Sequence, residues 1–369
     1  PDSFKESLTA LEVANAIERG FKRIFPNAEY VKLPMADGGE GTVQSLVDAT
    51  QGRLIEAEVT APLGNQVKSF FGLSGDGKTA IIEMAAASGL HLVPMDKRNP
   101  CQTTSFGTGE LIKQALDLGV QHIILGIGGS ATNDGGAGML QALGLRLLDK
   151  NGQSIGFGGT ALSNLAEIQL ADLDPRLQHV QIEVACDVNN PLCGENGSTY
   201  VYGPQKGVTE NMKKQLDEDM THFAMVTSET LGNDYHDTPG AGAAGGLGFA
   251  FLSYIGATLT PGIKLILDAV RLEQELPNTD IVVTGEGCLD FQTAMGKAPV
   301  GVARLAKKYH AKVIAFAGSV TKEASACNKE GIDAFFPILR SVCTLEEAMD
   351  PANARANLTA TVEQVFRLL

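Results

Sequence analysis

His122-Ile-Ile-Leu-Gly-Ile-Gly128-Gly129-Ser130-Ala-Thr132-Asn133-Asp134-Gly135-Gly136-Ala-Gly138 decides the fold class. A short β-branched run at 122–125 passes straight into a polar, glycine-rich loop, and residues 110–118 before it space their apolar side chains as a helix does. The same order recurs along the chain. Strand-like runs at 30–33, 181–185, 280–283 and 312–316 end in loops bearing Gly or Asp, and helix-like stretches occupy 8–23, 300–310 and 361–369. Strand, loop and helix in repetition predict an α/β fold built on a mainly parallel sheet. Ligands of such sheets bind beyond the carboxyl ends of the strands, so the loops after the strands are the ones to read for function.

A length of 369 residues suggests two domains. Residues 56–85 interrupt the pattern with three successive strands, at 56–60, 67–73 and 79–84, and residues 204–275 turn helical and then Gly-rich. The expected organisation is therefore discontinuous. Residues 1–55, 102–200 and 276–369 form the mainly parallel domain. Residues 56–101 and 201–275 form a smaller mixed α/β domain by insertion, with the active site in the cleft between the two.

With 43 acidic against 29 basic residues the net charge is −14, which argues against a nucleic-acid partner. Six cysteines without a CxxC pair are too few for a disulfide scaffold and read as reduced thiols of a cytoplasmic protein. Residues 238–263 carry no charge and are long enough to span a bilayer, but they are mostly small residues with glycines throughout. They read as a Gly-rich loop leading into a buried helix of a soluble protein, not as a membrane segment. A homo-oligomer is compatible with the sequence, which does not reveal oligomeric state.

Three nucleotide motifs invite attention. Gly72-Leu-Ser-Gly-Asp-Gly-Lys78-Thr79 has P-loop spacing, yet strand-like alternation on both sides makes it a hairpin turn. Gly126-Ile-Gly128-Gly129-Ser130-Ala131 fits the dinucleotide fingerprint, with Asp149 at the ribose offset, and supports a nicotinamide-dependent dehydrogenase as the alternative function. Against it, Thr132-Asn133-Asp134-Gly135-Gly136-Ala-Gly138 intervenes where the helix should already have begun. Gly240-Ala-Gly242-Ala-Ala-Gly245 follows no strand. A non-enzymatic sugar-acid sensor is a further alternative, although no basic helix-turn-helix accompanies it.

Other loops suit phosphate and a small hydroxy acid. Ser3 reads as the N-cap of the first helix, which places Lys5 in its first turn, where a cation opposes the helix dipole unless an anion lies between. Asp37-Gly38-Gly39-Glu40-Gly41 permits close backbone approach and offers a carboxylate to substrate hydroxyls. Residues 103–110 are a hydroxyl-rich helix start, equally able to receive an anion. Asp187, with Asn189 and Asn190, follows the 181–185 strand, and Glu286 and Asp290 follow the 280–283 strand. Each carboxylate there could bind Mg²⁺ or act as a base.

Taken in order, PDSFKESL (1–8), ADGGEGT (36–42), GIGGSATNDGGAG (126–138), ACDVNNPL (185–192), YGPQKG (202–207) and TGEGCLD (284–290) resemble the bacterial glycerate kinases that are neither P-loop nor ribokinase-like. The resemblance covers nearly the whole chain. It implies ATP- and Mg²⁺-dependent phosphorylation of D-glycerate, with the 2-hydroxyl favoured over the 3-hydroxyl, and a two-domain α/β fold in which one domain is Rossmann-like. It also implies a short apolar strand just ahead of PDSFKESL. With the chemistry of phosphoryl transfer, which needs positioning, charge neutralisation and a base, the candidate roles follow. Asp187 is base or Mg²⁺ ligand, Lys5 and Lys206 are phosphate partners, and Gly128, Gly129, Ser130, Asn133 and Asp134 form an amide cradle. Ser3, Asp37, Gly38, Gly39 and Asn189 contact substrate, and Glu286 and Asp290 are reserve carboxylates, Glu286 also for Mg²⁺.

Overall fold

The computed structural model describes every residue except Asp37 and Glu40, and the chain divides into two compact units. One unit comprises 38–43 and 52–262. Its six-stranded sheet runs β1-β2-β3-β4-β7-β8, from β1 (Arg53–Thr60), β2 (Gln66–Leu73), β3 (Thr79–Glu83), β4 (His122–Gly126), β7 (Gln181–Ala185) and β8 (Thr258–Thr260). A separate antiparallel pair is β5 (Arg146–Leu148) and β6 (Glu167–Gln169). β1, β2 and β3 pair antiparallel, whereas β3, β4, β7 and β8 are parallel. The P-loop look-alike is the β2–β3 turn, closed by Asp76, whose carboxylate accepts from Ser74 Oγ and Lys78 N, with Gly77 at φ 70°.

This arrangement differs from the domain division read from the sequence. Residues 56–101 and 102–200 lie in one unit because β3 pairs directly with β4, through a crossover that carries the helix Phe106–Asp117. Residues 204–275 are not wholly outside the parallel sheet either, since 258–260 extends it as β8. The helix Phe106–Asp117 buries Leu111, Ile112 and Ala115 against Ile82, Ile123 and Leu125 of the strands. Each buried Leu or Ile here contributes ~1.5–3 kcal/mol by leaving water, and Ala115 about 0.8 kcal/mol. Two glycines allow the close approach: a Cβ at Gly107 would lie 2.1 Å from Thr60 O, and one at Gly109 2.3 Å from Met139 O.

The other unit comprises 1–37, 44–51 and 263–369. Its parallel sheet has the order β11-β10-β9, from β9 (Ile281–Leu289), β10 (Lys312–Val320) and β11 (Ala334–Pro337). The helices Ala10–Lys22 and Pro351–Phe366 pack together over it, with Val13, Ile17, Phe316, Leu358 and Phe366 in the core. The expected strand at 30–33 does not form. Residues 30–33 instead line a cavity of about 580 Å³ together with Ile281 and Val283 of β9, Phe21 and Val302. Pro1 and Asp2 enter between that segment and β9: Asp2 N–H donates to Gly285 O of β9, and Met35 N–H to Pro1 O.

The first helix also begins later than expected. Thr9, not Ser3, is its N-cap, and Thr9 and Glu12 form a reciprocal capping box. Lys5 instead sits in a tight turn between the buried Phe4 and Leu8, closed by Phe4 N–H to Leu8 O, with Glu6 at φ 61°. The helix-dipole argument for an anion at Lys5 therefore lapses.

Candidate active site

In the larger unit, functional loops gather at the carboxyl ends of the parallel strands. Glu83, Gly126, Ala185 and Thr260 end β3, β4, β7 and β8. Packing brings the glycine-bearing loops together: a Cβ at Gly126 would lie 2.7 Å from Gly38 O, and one at Gly38 3.0 Å from Gly262 Cα and 3.3 Å from Ala185 Cβ. Thr42 Oγ1 donates to Gly39 O at 2.7 Å, shaping the turn after Gly38. Asp37, the predicted carboxylate of that loop, lies outside the described residues. Asp187 is exposed at the end of β7, and its Oδ1 accepts from Gly262 N–H at 2.9 Å. Asn189 beside it is also exposed. Glu83, which the sequence reading omits, pairs in register with Gly126 and accepts from Val43 N–H at 2.8 Å.

The loop after β4 has an exposed tip and a buried base. Gly128 and Gly129 are exposed, whereas Ser130, Thr132, Asn133 and Asp134 are buried. Asp134 takes Ser105 N–H and Ser105 Oγ–H, both at 2.8 Å, and the Gly136 and Gly138 amides at 3.2 and 3.3 Å. The anion that residues 103–110 were expected to receive at their helix start is thus the protein's own carboxylate. Burial pushes Asp134 above the usual carboxylate range, and these four donors pull it back. Asn133 is tied to Thr199 and Ser198 at 2.9 and 3.2 Å. Asn133 and Asp134 therefore anchor the loop from within, and the surface it presents outward is 128–129.

Lys206 is similarly turned inward. It is 2% exposed, and its Nζ donates to Thr132 O at 2.6 Å and to Ser130 Oγ at 3.3 Å. Burial pushes its pKa down to about 7, opposed by the charge of Asp134.

In the smaller unit a second group surrounds the end of β9. Glu286 is 8% exposed and accepts from Thr293 Oγ1 at 2.5 Å. Burial raises its pKa to about 7, against the Thr293 bond and Lys297, with Asp2 and Asp290 pushing the same way as burial. Asp290 caps the helix Phe291–Ala294 through Thr293 N–H. Lys5 is exposed, and its backbone lies over Gly287, where a Cβ would be 3.6 Å from Lys5 N. Ser3 is half-buried, its N–H bonded to Asp2 Oδ1 at 2.6 Å. Asp2, Thr293 and Lys297 are the members that sequence reading missed. Only their proximity to PDSFKESL and TGEGCLD signals them.

The raised Glu286 has a measurable consequence. The folded chain holds a proton there up to about pH 7, whereas the unfolded chain releases it near 4.5, so the stability it contributes is fully present below about pH 4.5 and is lost as pH rises through about 7. Glu286→Gln should flatten that decline and leave the protein about 3 kcal/mol more stable than the parent at pH 8. Urea midpoints at pH 5 and pH 8 test it, and parallel pH profiles for the two proteins would refute it.

Among the described residues no group of three or more His, Cys, Asp or Glu could hold a metal. Mg²⁺ commonly uses one or two carboxylates plus substrate phosphates. Exposed Asp187 is open to such a role, whereas Glu286 is buried against Thr293. The dinucleotide reading also loses its supports. The helix after the 126–131 motif starts only at Ala137, and Asp149 is a half-buried loop residue accepting from the Asn151 and Gln153 amides.

Comparison with known proteins is consistent along the full length. Residues 1–369 match the glycerate kinase family. A glycerate kinase of Haemophilus influenzae is 61% identical over 369 residues, covering 100% of this chain and 97% of that protein. The glycerate 2-kinase of Escherichia coli is 54% identical over 367 residues, covering 98% and 96%. A crystal structure of a Salmonella typhimurium LT2 protein assigned as glycerate kinase 2 superposes with a TM-score of 0.93 at 54% identity, covering 100% of this chain and 96% of that one.

Proposed function

Because the chain belongs to the glycerate kinase family, whose members are ATP-dependent phosphotransferases, we propose that it transfers the γ-phosphoryl group of ATP to the 2-hydroxyl of D-glycerate, with Mg²⁺ as cofactor. The observation that supports this reading is the convergence of Gly38, Gly126, Ala185 and Gly262 around the strand ends that carry Asp187. Those buried glycines let the loops pack closely on one another, and the exposed Gly128 and Gly129 leave backbone open to a phosphate. The exposed tip, Gly128 and Gly129, is the edge that would meet the triphosphate.

Asp187 is assigned as the base. Its carboxylate accepts the proton of the attacking hydroxyl while the amide of Gly262 fixes its orientation. Mg²⁺ bound with ATP would supply neutralisation of phosphate charge. The protein's net charge of −14 repels ATP at long range, so these local donors must outweigh it. We place the reaction in the cytoplasm, where ATP is the common phosphoryl donor. All six cysteines are free, and no helix among the described residues is long and apolar enough to cross a membrane.

Attack by the 2-hydroxyl rests on the name borne by the Escherichia coli relative. Phosphorus NMR of the product from ATP and D-glycerate should show 2-phosphoglycerate. A product that is solely 3-phosphoglycerate would overturn the regiochemistry and leave the kinase assignment standing.

A further inference from the structure

An amine buried to 2% exposure is costly unless it does something for its surroundings, and a well-packed apolar side chain would often be tolerated in its place. Lys206 enters from the 3₁₀ turn Pro204–Lys206, just after the helix Ser198–Tyr202. That short segment is bonded to the loop after β4 at three points: Ser198 to Asn133, Asn133 to Thr199, and Lys206 to Thr132 and Ser130. Ser130 Oγ also accepts from Thr132 N–H at 3.1 Å, so residues 130–132 fold around the amine. On the opposite side the same backbone is pinned by Leu90 N–H to Gly129 O and by Ala131 N–H to Ser88 O. The exposed tip at 128–129 is thus a short span whose downstream anchor is the Lys206 ammonium.

We propose that Lys206 is a positioning residue for the nucleotide: it does not touch phosphate, but sets from beneath the height and orientation of the 128–130 backbone that meets it. This rests on the reading of that loop as the triphosphate edge. The inward amine replaces the direct phosphate contact expected from YGPQKG. Lys206 holds the Thr132 carbonyl inward, and without it residues 130–132 lose the donor around which they turn. The preorganised amides then relax, and ATP binding weakens more than the chemical step slows.

Steady-state kinetics of the full chain with ATP and D-glycerate test this in three variants. Lys206→Met should raise KM for ATP about tenfold or more while KM for glycerate stays at the parent value, the loss expected for one hydrogen-bonded charge. Lys206→Gln, which keeps a neutral donor, should fall between Met and the parent, and supplies the same comparison if the Met variant does not fold. Propylamine added to Lys206→Ala should restore part of the ATP affinity. A lower folded fraction with unchanged KM for ATP would mean that Lys206 is merely structural and would overturn the proposal. Gly128→Asp separates this from the underlying reading, because a side chain at Gly128 meets nothing within 4 Å and only adds charge to the tip. If it raises KM for ATP while Lys206→Met does not, the loop reading stands and the role of Lys206 falls. If it leaves KM for ATP unchanged, the loop reading falls, and the proposal with it.

Discussion

Asp187→Asn is expected to lower kcat by about 10²–10⁴-fold, the range typical of a lost general base, with the thermal midpoint unchanged. The two parts of that expectation come from the two faces of the residue. Its Oδ1 accepts from Gly262 N–H, and an asparagine Oδ1 accepts the same bond, so the local backbone keeps its partner. An amide cannot take the hydroxyl proton, so the chemical step alone suffers. Asp187→Ala would confuse the two, because it removes the acceptor of the Gly262 amide as well as a base. Glycerate and ATP KM values should move little compared with kcat, since the carboxylate acts mainly in the transition state. Turnover within about tenfold of the parent would place the base elsewhere. A described alternative at the strand ends is then Glu83, which sits in register with Gly126.

Periodicity made much of this architecture readable, because it reports which face a segment buries. The runs at 122–125 and 181–185 became β4 and β7 in place, and the alternation around 72–79 correctly outweighed a full P-loop spelling. Periodicity does not report the partner, and the misreadings follow from that. Residues 30–33 have the apolar content of a strand but line a cavity together with residues of β9. Residues 56–85 look like an insertion, yet β3 finds β4 through a crossover that no local signal announces. The candidate site divides along the same line. Glycines at strand ends were legible, since few other reasons place several in one turn. The direction of polar side chains was not. Lys206, Asn133 and Asp134 look like ligand groups in the sequence, but the fold turns all three inward, and each is nearly inaccessible. Ser3 lost its capping role to Thr9 because Thr9 has Glu12 three residues on to complete a reciprocal pair.

The inward turn of Asp134 leads to the largest expected effect on stability. Asp134→Ala should destabilise its unit by about 3–5 kcal/mol, the order expected when several buried donors lose a charged acceptor at once. Four donors lose their acceptor together: the amide and hydroxyl of Ser105 and the amides of Gly136 and Gly138. Lys206, whose buried charge Asp134 supports, is left uncompensated. For a unit of this size each kcal/mol moves the midpoint by ~2–4 °C, so a drop of roughly 6–20 °C is expected in a thermal melt. The double variant Asp134→Ala/Lys206→Met separates the pair from the hydrogen bonds. Removing the stranded amine should recover part of the loss, giving a coupling of ~0.5–3 kcal/mol in a double-mutant cycle. Strict additivity would mean that the charges do not interact and that Asp134 acts solely as the acceptor at the start of the helix Phe106–Asp117. A positive coupling would identify the glycine loop as clamped between a carboxylate on one side and an ammonium on the other, leaving its exposed tip rigid before any phosphate arrives.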